Sequence, residues 1–334
     1  MSRVKFTKPI LYWIVASMLV IALPIMLRDP HWLHVVIMVG IAIMLAASLR
    51  ISLIAGVFNL GQIAFYAIGA YTLALLGNNL GLSFWLCLLI AGVVAGLIAL
   101  AIGYLTIRVR GVYFVMVSLA LVEIVRSSII ALPFLGGYKV VVVPTPNPII
   151  VPHLFSVEFV SKVPYYYLVL VLMAITIFVL YRIENSRIGA ILKSIMDSEP
   201  LAMSIGINSV AYRVLAFCIS SFFAGIAGAF YASYAGVIGP QGFNIWASII
   251  VFIMIVVGGI GSVWGPVIGA ALLTFLPEVL ADIPDYAPII YSIFVILVFF
   301  FIPEGLIGLP RLVKAKVLEP VSAKLIKGKR RGTL

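Results

Sequence analysis

The sequence predicts an all-α protein: a polytopic transmembrane helix bundle of about ten spans, some interrupted by glycine, with both termini cytoplasmic. Three observations carry that expectation. Hydrophobic residues make up 64% of the 334 and charged residues only 10%, whereas a soluble domain carries about 25% charged residues. The apolar residues fall into runs of the roughly 20 residues that a spanning helix needs. The cations, finally, collect on one side of those runs.

Taken in order, the runs lie near residues 10–27, 32–49, 51–77, 83–106, 112–132, 164–181, 212–236, 244–258, 264–281 and 287–303. They fill a single transmembrane domain over 1–334 and leave little length for a soluble one. The first run follows the basic stretch Met1–Lys8 and shows no small-x-small cleavage site after Leu27, so it reads as a retained signal anchor. With the N-terminus inside, one side gathers residues 1–9, Arg50, Arg108, Arg110, the 182–213 connection and the tail from 304, which hold 18 of the 22 Lys and Arg. Arg28, Lys139 and Lys162 fall opposite, and Arg126 lies within a span. That bias places both termini in the cytoplasm. The tail 304–334, with Lys324, Lys327, Lys329, Arg330 and Arg331, reads as solvated or facing anionic lipid. The net charge of +11 therefore reflects topology, and a nucleic-acid partner is not expected.

Glycine marks two of the segments. Gly61-Gln62 through Gly69-Ala70 and Gly261-Ser262 through Gly269-Ala270 share the pattern G-x7-G-A, each followed by an apolar run. Paired interrupted segments point to a repeat-built transporter, so Gly61, Gln62, Gly69, Gly261 and Gly269 are candidates for the translocation pathway or for close helix packing. Ala224, Gly228, Ala232 and Gly236, four residues apart, and the pair Gly92/Gly96 make smooth faces suited to helix–helix contact. The long connection 133–163 carries Pro144, Pro146, Pro148 and Pro152, which exclude a regular helix over 144–152. It reads either as an ordered external cap or as a loose loop.

Signatures of catalysis are absent: the sequence has no phosphate-binding loop, no H-E-x-x-H, no nucleophile elbow and no Cys/His cluster. Neither a metal nor a cofactor is expected, and the chain is not expected to be an enzyme. Cys87 and Cys218 lie in apolar runs and read as small buried hydrophobes; His31, His34 and His153 are dispersed near the external side. Glu123 and Arg126, three residues apart near the middle of the fifth run, share a helix face and form an intramembrane ion pair. The pair is either a gate or solute-charge site or a clamp between helices, and it needs the bundle interior or a wet cavity around it.

The segment 186–208 is the one substantial polar interruption. Ile188, Ile191, Leu192 and Ile195 have helical apolar spacing. Asp197 or Ser198 suits the cap of a second short helix, with Glu199 and Pro200 in its first turn. Gly206 suits a left-handed stop. The result is a two-helix knob able to pass force from a docked protein, or else an amphipathic linker.

Several stretches resemble the branched-chain amino-acid ABC permease family in its LivM-type membrane subunit: Phe58–Thr72, Arg108–Phe114, Ser118–Arg126, Ser186–Gly189, Gly206–Asn208, Leu215–Ser220, Gly258–Pro266 and Pro303–Leu306. They run collinearly over about 35–310, and the spacing E-x-x-A-x-x-x-G of Glu199, Ala202 and Gly206 resembles the family's coupling segment. The resemblance implies a multi-pass bacterial or archaeal inner-membrane importer with ATP-binding cassette ATPase subunits, a second homologous permease and an extracytoplasmic solute-binding protein. Glu199, Ala202 and Gly206 would then mark the ATPase-coupling loop, 186–208. Where family members often carry Gly-Gly-Ser/Thr-Asp/Asn-Gly, this chain has Gly136-Gly-Tyr-Lys-Val140. That departure leaves urea, amides and aromatic acids open as substrates beside branched-chain amino acids. From the residues alone, an ATP-independent secondary carrier is a further alternative.

Overall fold

The computed structural model describes residues 29–308, apart from 108, 110, 148, 152–154, 158, 160, 282, 303 and 304. The expected first span, 10–27, and nearly all of the basic tail lie outside the described residues. In chain order the helices are α1 (Pro30–Leu53), α2 (Gln62–Leu80), α3 (Phe84–Thr106), α4 (Val112–Ala131), α5 (Lys162–Glu184), α6 (Arg187–Asp197), α7 (Glu199–Ser204), α8 (Ser209–Ala235), α9 (Ile245–Gly258), α10 (Trp264–Val279) and α11 (Ala287–Phe301). Asp29 starts α1 by accepting from the His31 N–H at 2.9 Å, with Pro30 in its first turn. Asn208 and Asn244 cap α8 and α9 in the same manner.

Seven of these segments, counting α9 together with the 3-10 turn Pro240–Gly242 before it, are long and apolar enough to cross a membrane. The expectation of about ten spans therefore needs redrawing within the described residues. α10 and α11 are apolar but have only 16 and 15 residues. The expected span 51–77 is two pieces: α1 runs on to Leu53, the backbone turns at Gly56 (φ +73°), and α2 begins at Gln62. A similar break at 259–263, with Gly259 at φ +105°, parts α9 from α10.

α8 is the hub, packed against α1, α2 and α3; α1 also packs against α5 and α10, and α9 lies along α10. Helices in lipid gain little from apolar burial and hold together by close backbone approach and hydrogen bonds. The α2–α8 seam is such a contact: a Cβ on Gly69 would collide with the Gly225 carbonyl, and one on Gly228 with the Tyr66 carbonyl. The predicted smooth face on α8 therefore packs within the chain, with Ala224 and Ala232 fully buried. Gly92 likewise presses against Phe222 and Ile226 of α8.

The described residues of the proline-rich connection 133–163 form a cap with no helix beyond the turn Pro133–Leu135 before Lys162. β1 (Val141–Val142) pairs antiparallel with β4 (Val237–Ile238), and β2 (Ile149–Val151) pairs with β3 (Phe155–Val157). Side chains pin the cap to the bundle. Asn78 donates to the Val142 carbonyl at 2.7 Å, Ser233 to the Pro144 carbonyl at 3.0 Å, and Asn147 accepts from the Phe84 N–H at 2.8 Å.

Candidate functional site

The segment 186–208 folds as the two-helix knob its pattern predicts. Ser186 accepts from the Ile188 N–H at 3.2 Å to start α6. Ser198 separates α6 from α7, Pro200 sits in the first turn of α7, and Gly206 at φ +86° ends it in the left-handed region that favours glycine. α6 turns Leu192 and Ile195 inward, while Ala202 of α7 is buried. Met196, Leu201, Met203 and Ile205 are left exposed on the knob. Gly189 lies so close to the Glu184 carbonyl that no larger residue fits there.

Two ion-pair struts tie this knob to the bundle. In one, Lys193 of α6 meets Glu184 at the end of α5 at 3.0 Å. Glu184 receives both arms of the Arg50 guanidinium, from Nη1 and, at 3.0 Å, from Nη2. Arg50 also donates through Nε to the Ile260 carbonyl at 2.8 Å. In the other strut, Glu199 accepts from Arg213 Nη1 at 2.9 Å and from the Ser209 hydroxyl at 2.8 Å. Arg213 Nε reaches the Ala55 carbonyl at 3.3 Å. Each strut therefore starts on a knob helix and ends on a backbone carbonyl of a helix break, 259–263 or 54–61. The fork geometry of arginine suits that bridging, since it has donors for the carboxylate and more to spare.

The predicted residues are distributed unevenly around this arrangement. Glu199 points into the second strut, with its side chain only 11% exposed; it braces the knob and does not project from it. Gly61 precedes α2, where a Cβ would meet the Ser118 carbonyl. Gln62 is completely buried: its Nε2 donates to Ser48 Oγ at 2.8 Å and to the Ser220 carbonyl at 3.3 Å, while its Oε1 accepts from Asn59 at 3.1 Å and Ser220 Oγ at 3.2 Å. α2 thus begins beside the middle of α8, deep inside the bundle. The backbone donors freed by the break are answered by side chains: Leu60 by Ser118, Gly61 by Asn59 and Ile63 by Ser248. An interrupted helix inside an apolar bundle requires such answers.

Gly69 and Gly269 occupy equivalent roles, each leaving room for a carbonyl of a neighbouring helix, Gly225 and Met254 respectively. Gly261 departs from its counterpart Gly61, for nothing would crowd a side chain there. Glu123 and Arg126 do pair, Nε lying 3.0 Å from one carboxylate oxygen and 3.1 Å from the other. Their side chains remain 43% and 27% exposed on this chain, on the outer side of α4. None of these groups lies near a cluster of His, Cys, Asp or Glu able to hold a metal among the described residues.

Sequence reasoning missed the partners of Arg50, Lys193 and Arg213, which it counted among the topology charges, and did not single out Glu184. The available signal was Arg50 itself, a lone cation inside an apolar stretch with no turn residue beside it.

The family model described as "Branched-chain amino acid transport system / permease component" matches residues 32–303. The high-affinity branched-chain amino acid transport system permease protein LivM of Salmonella typhimurium (strain LT2) is 30% identical over 77% of this chain, and that of Escherichia coli K12 is 31% identical over the same share. The chain spans 65% of the length of those LivM proteins. The E. coli K12 permease protein LivH of the same named system is 31% identical over 43% of this chain and 46% of its own length. No solved structure matches the chain. With its collinear motifs and its apolar helices, the chain is a multi-pass integral membrane protein that belongs to the branched-chain amino acid transport permease family.

Proposed function

We propose that this chain is the membrane-spanning permease subunit of an ABC importer for branched-chain or closely related amino acids, with ATP hydrolysed by partner subunits. The observation that carries the reading is the doubly strutted knob. Exposed Met196, Leu201, Met203 and Ile205 on a polar, amphipathic element suit a protein partner, and a docked ATPase pushing there would act on both helix breaks through the struts. Glu199, Ala202 and Gly206 then shape the knob, as brace, buried pivot and left-handed stop. The knob, Arg50 and both termini face the cytoplasm in this reading, in keeping with the cation bias. The cap of 133–163 faces the solute-binding protein. Gly61, Gln62, Gly69 and Gly269 act in packing the interrupted helices, and the second permease is a homologue of this chain.

The test is co-purification from the native membrane, comparing wild type with Leu201→Glu/Ile205→Glu. The expected result is an ATPase and a second permease with wild type, and selective loss of the ATPase with the variant. A wild-type chain that purifies alone and moves leucine into vesicles without ATP overturns the reading.

A further inference from the structure

The outward faces of the spanning helices are not alike. α3 exposes Leu86, Leu89, Val93, Leu97 and Leu100, and α11 exposes Ile289, Ile293, Ile296, Leu297 and Phe300. These are long apolar side chains that suit lipid. α4 exposes Val112, Tyr113, Met116 and Val117 over its first turns, as a lipid-facing helix would, but then Ala120, Ile124, Ser127 and Ser128, with the Glu123–Arg126 pair beside them. With α4 starting at Val112, the pair lies roughly 17–21 Å along a helix about 30 Å long, inside the apolar span and not at its rim. A charged pair at that depth requires protein or water around it, and this chain leaves the two side chains 43% and 27% exposed. Two different permease proteins of one transport system, LivM and LivH of E. coli, are both similar to this chain, so a second permease is the available cover.

We infer that the outer face of α4 lines the solute path between this chain and the second permease, and that Glu123 and Arg126 bind the α-ammonium and α-carboxylate of the transported amino acid. This rests on the importer reading above. The chemistry is an exchange of ion pairs. Empty, Arg126 and Glu123 satisfy each other. With solute, the guanidinium fork takes the carboxylate in a bidentate contact and Glu123 takes the ammonium. Both states are neutral overall, no proton moves, and no charge is left alone in the membrane. Small Ala120 and Ser127 leave room beside the pair, and Ile124 offers apolar contact to an aliphatic side chain. A zwitterion meets both charges; a urea or an aromatic acid anion does not.

The experiment uses the complete wild-type assembly, reconstituted in proteoliposomes with its solute-binding protein, against three variants. These are the charge swap Glu123→Arg/Arg126→Glu, the single change Glu123→Gln, and the conservative pair Glu123→Asp/Arg126→Lys. Subunit composition, ATP hydrolysis and labelled-leucine uptake are read together. The swap keeps a neutral i,i+3 pair, so assembly and hydrolysis persist while uptake per ATP falls about ten- to hundred-fold, the worth of a lost charge-assisted hydrogen bond. Glu123→Gln gives a similar fall without disturbing insertion, and the conservative pair recovers part of the uptake. Undiminished uptake in the swap or in Glu123→Gln makes the pair a structural clamp and overturns the inference. Loss of the second permease in the swap assigns the pair to a subunit seam and overturns it equally. Absence of an ATPase from the wild-type assembly is a different failure, that of the importer reading itself.

Discussion

Two of the carboxylate–guanidinium pairs among the described residues, Arg50–Glu184 and Glu123–Arg126, are built on opposite plans. Arg50 and Glu184 come from positions 134 residues apart, with side chains only 4% and 7% exposed, and each of the three guanidinium nitrogens donates to a fixed partner. Glu123 and Arg126 stand one turn apart on a single helix, with side chains 43% and 27% exposed, and bond to each other. A buried pair joining two helices and a loop resists separation because each charge is stranded if its partner leaves. A local pair on an open face holds its geometry through the helix alone and separates whenever a better partner arrives. One plan suits a brace and the other suits an exchangeable site.

The contrast is broken most forcefully at Arg50. Arg50→Met leaves Glu184 buried with Lys193 alone, and a loss of about 3–5 kcal/mol in unfolding free energy is expected. SDS-titration unfolding in mixed micelles measures it. The double change Arg50→Met/Glu184→Met recovers most of that loss, because it removes both charges at once. A double variant as weak as the single one means the pair is not the brace described.

Next in size is Glu199→Ala, which removes the partner of Arg213 and Ser209. A loss of about 1–3 kcal/mol is expected, and uptake coupled to ATP hydrolysis falls more than hydrolysis itself. Equal loss of both points to general unfolding of the knob. Smaller still is Lys193→Ala, since the lysine is 49% exposed and water screens it; under about 1 kcal/mol is expected. The smallest effect belongs to Glu123→Gln/Arg126→Gln, which leaves the thermal midpoint of the detergent-purified assembly unmoved within error. A clear drop there makes the two pairs alike and removes the distinction.

Legibility in the sequence follows the range of the interaction. The knob was readable because each of its signals is local: apolar spacing from Ile188 to Ile195, a break at Asp197 or Ser198, where Ser198 takes the N-cap position without a side-chain bond, proline in the first turn and glycine at the end. So was the pairing of Glu123 with Arg126, one turn apart. Its exposure was not, because which face a helix buries depends on neighbours distant in the chain. Arg50 and Glu184 carry no mutual signal, since nothing in either neighbourhood announces the other. Glu199 was located correctly but its direction was not, as Arg213 lies a helix away. The glycine pattern split in the same manner: Gly69 and Gly269 each meet a neighbouring carbonyl, while Gly261 has open space beside it. Spacing alone does not distinguish a glycine that packs from one that turns.

The seam between α2 and α8 also dictates an order of events during synthesis. α2 is the least apolar of the seven candidate spans, and its partner surface at Gly225 and Gly228 leaves the ribosome long after it. At about 5–20 residues per second, α2 waits roughly ten to thirty seconds with the Ser220 contacts of Gln62 unmade and a notched glycine face unanswered. During that interval it must be sheltered by the insertion machinery or by α1 and α3. Final locking of the core therefore falls to a late-made helix, and a chain truncated before α8 leaves its first half without a partner and open to degradation.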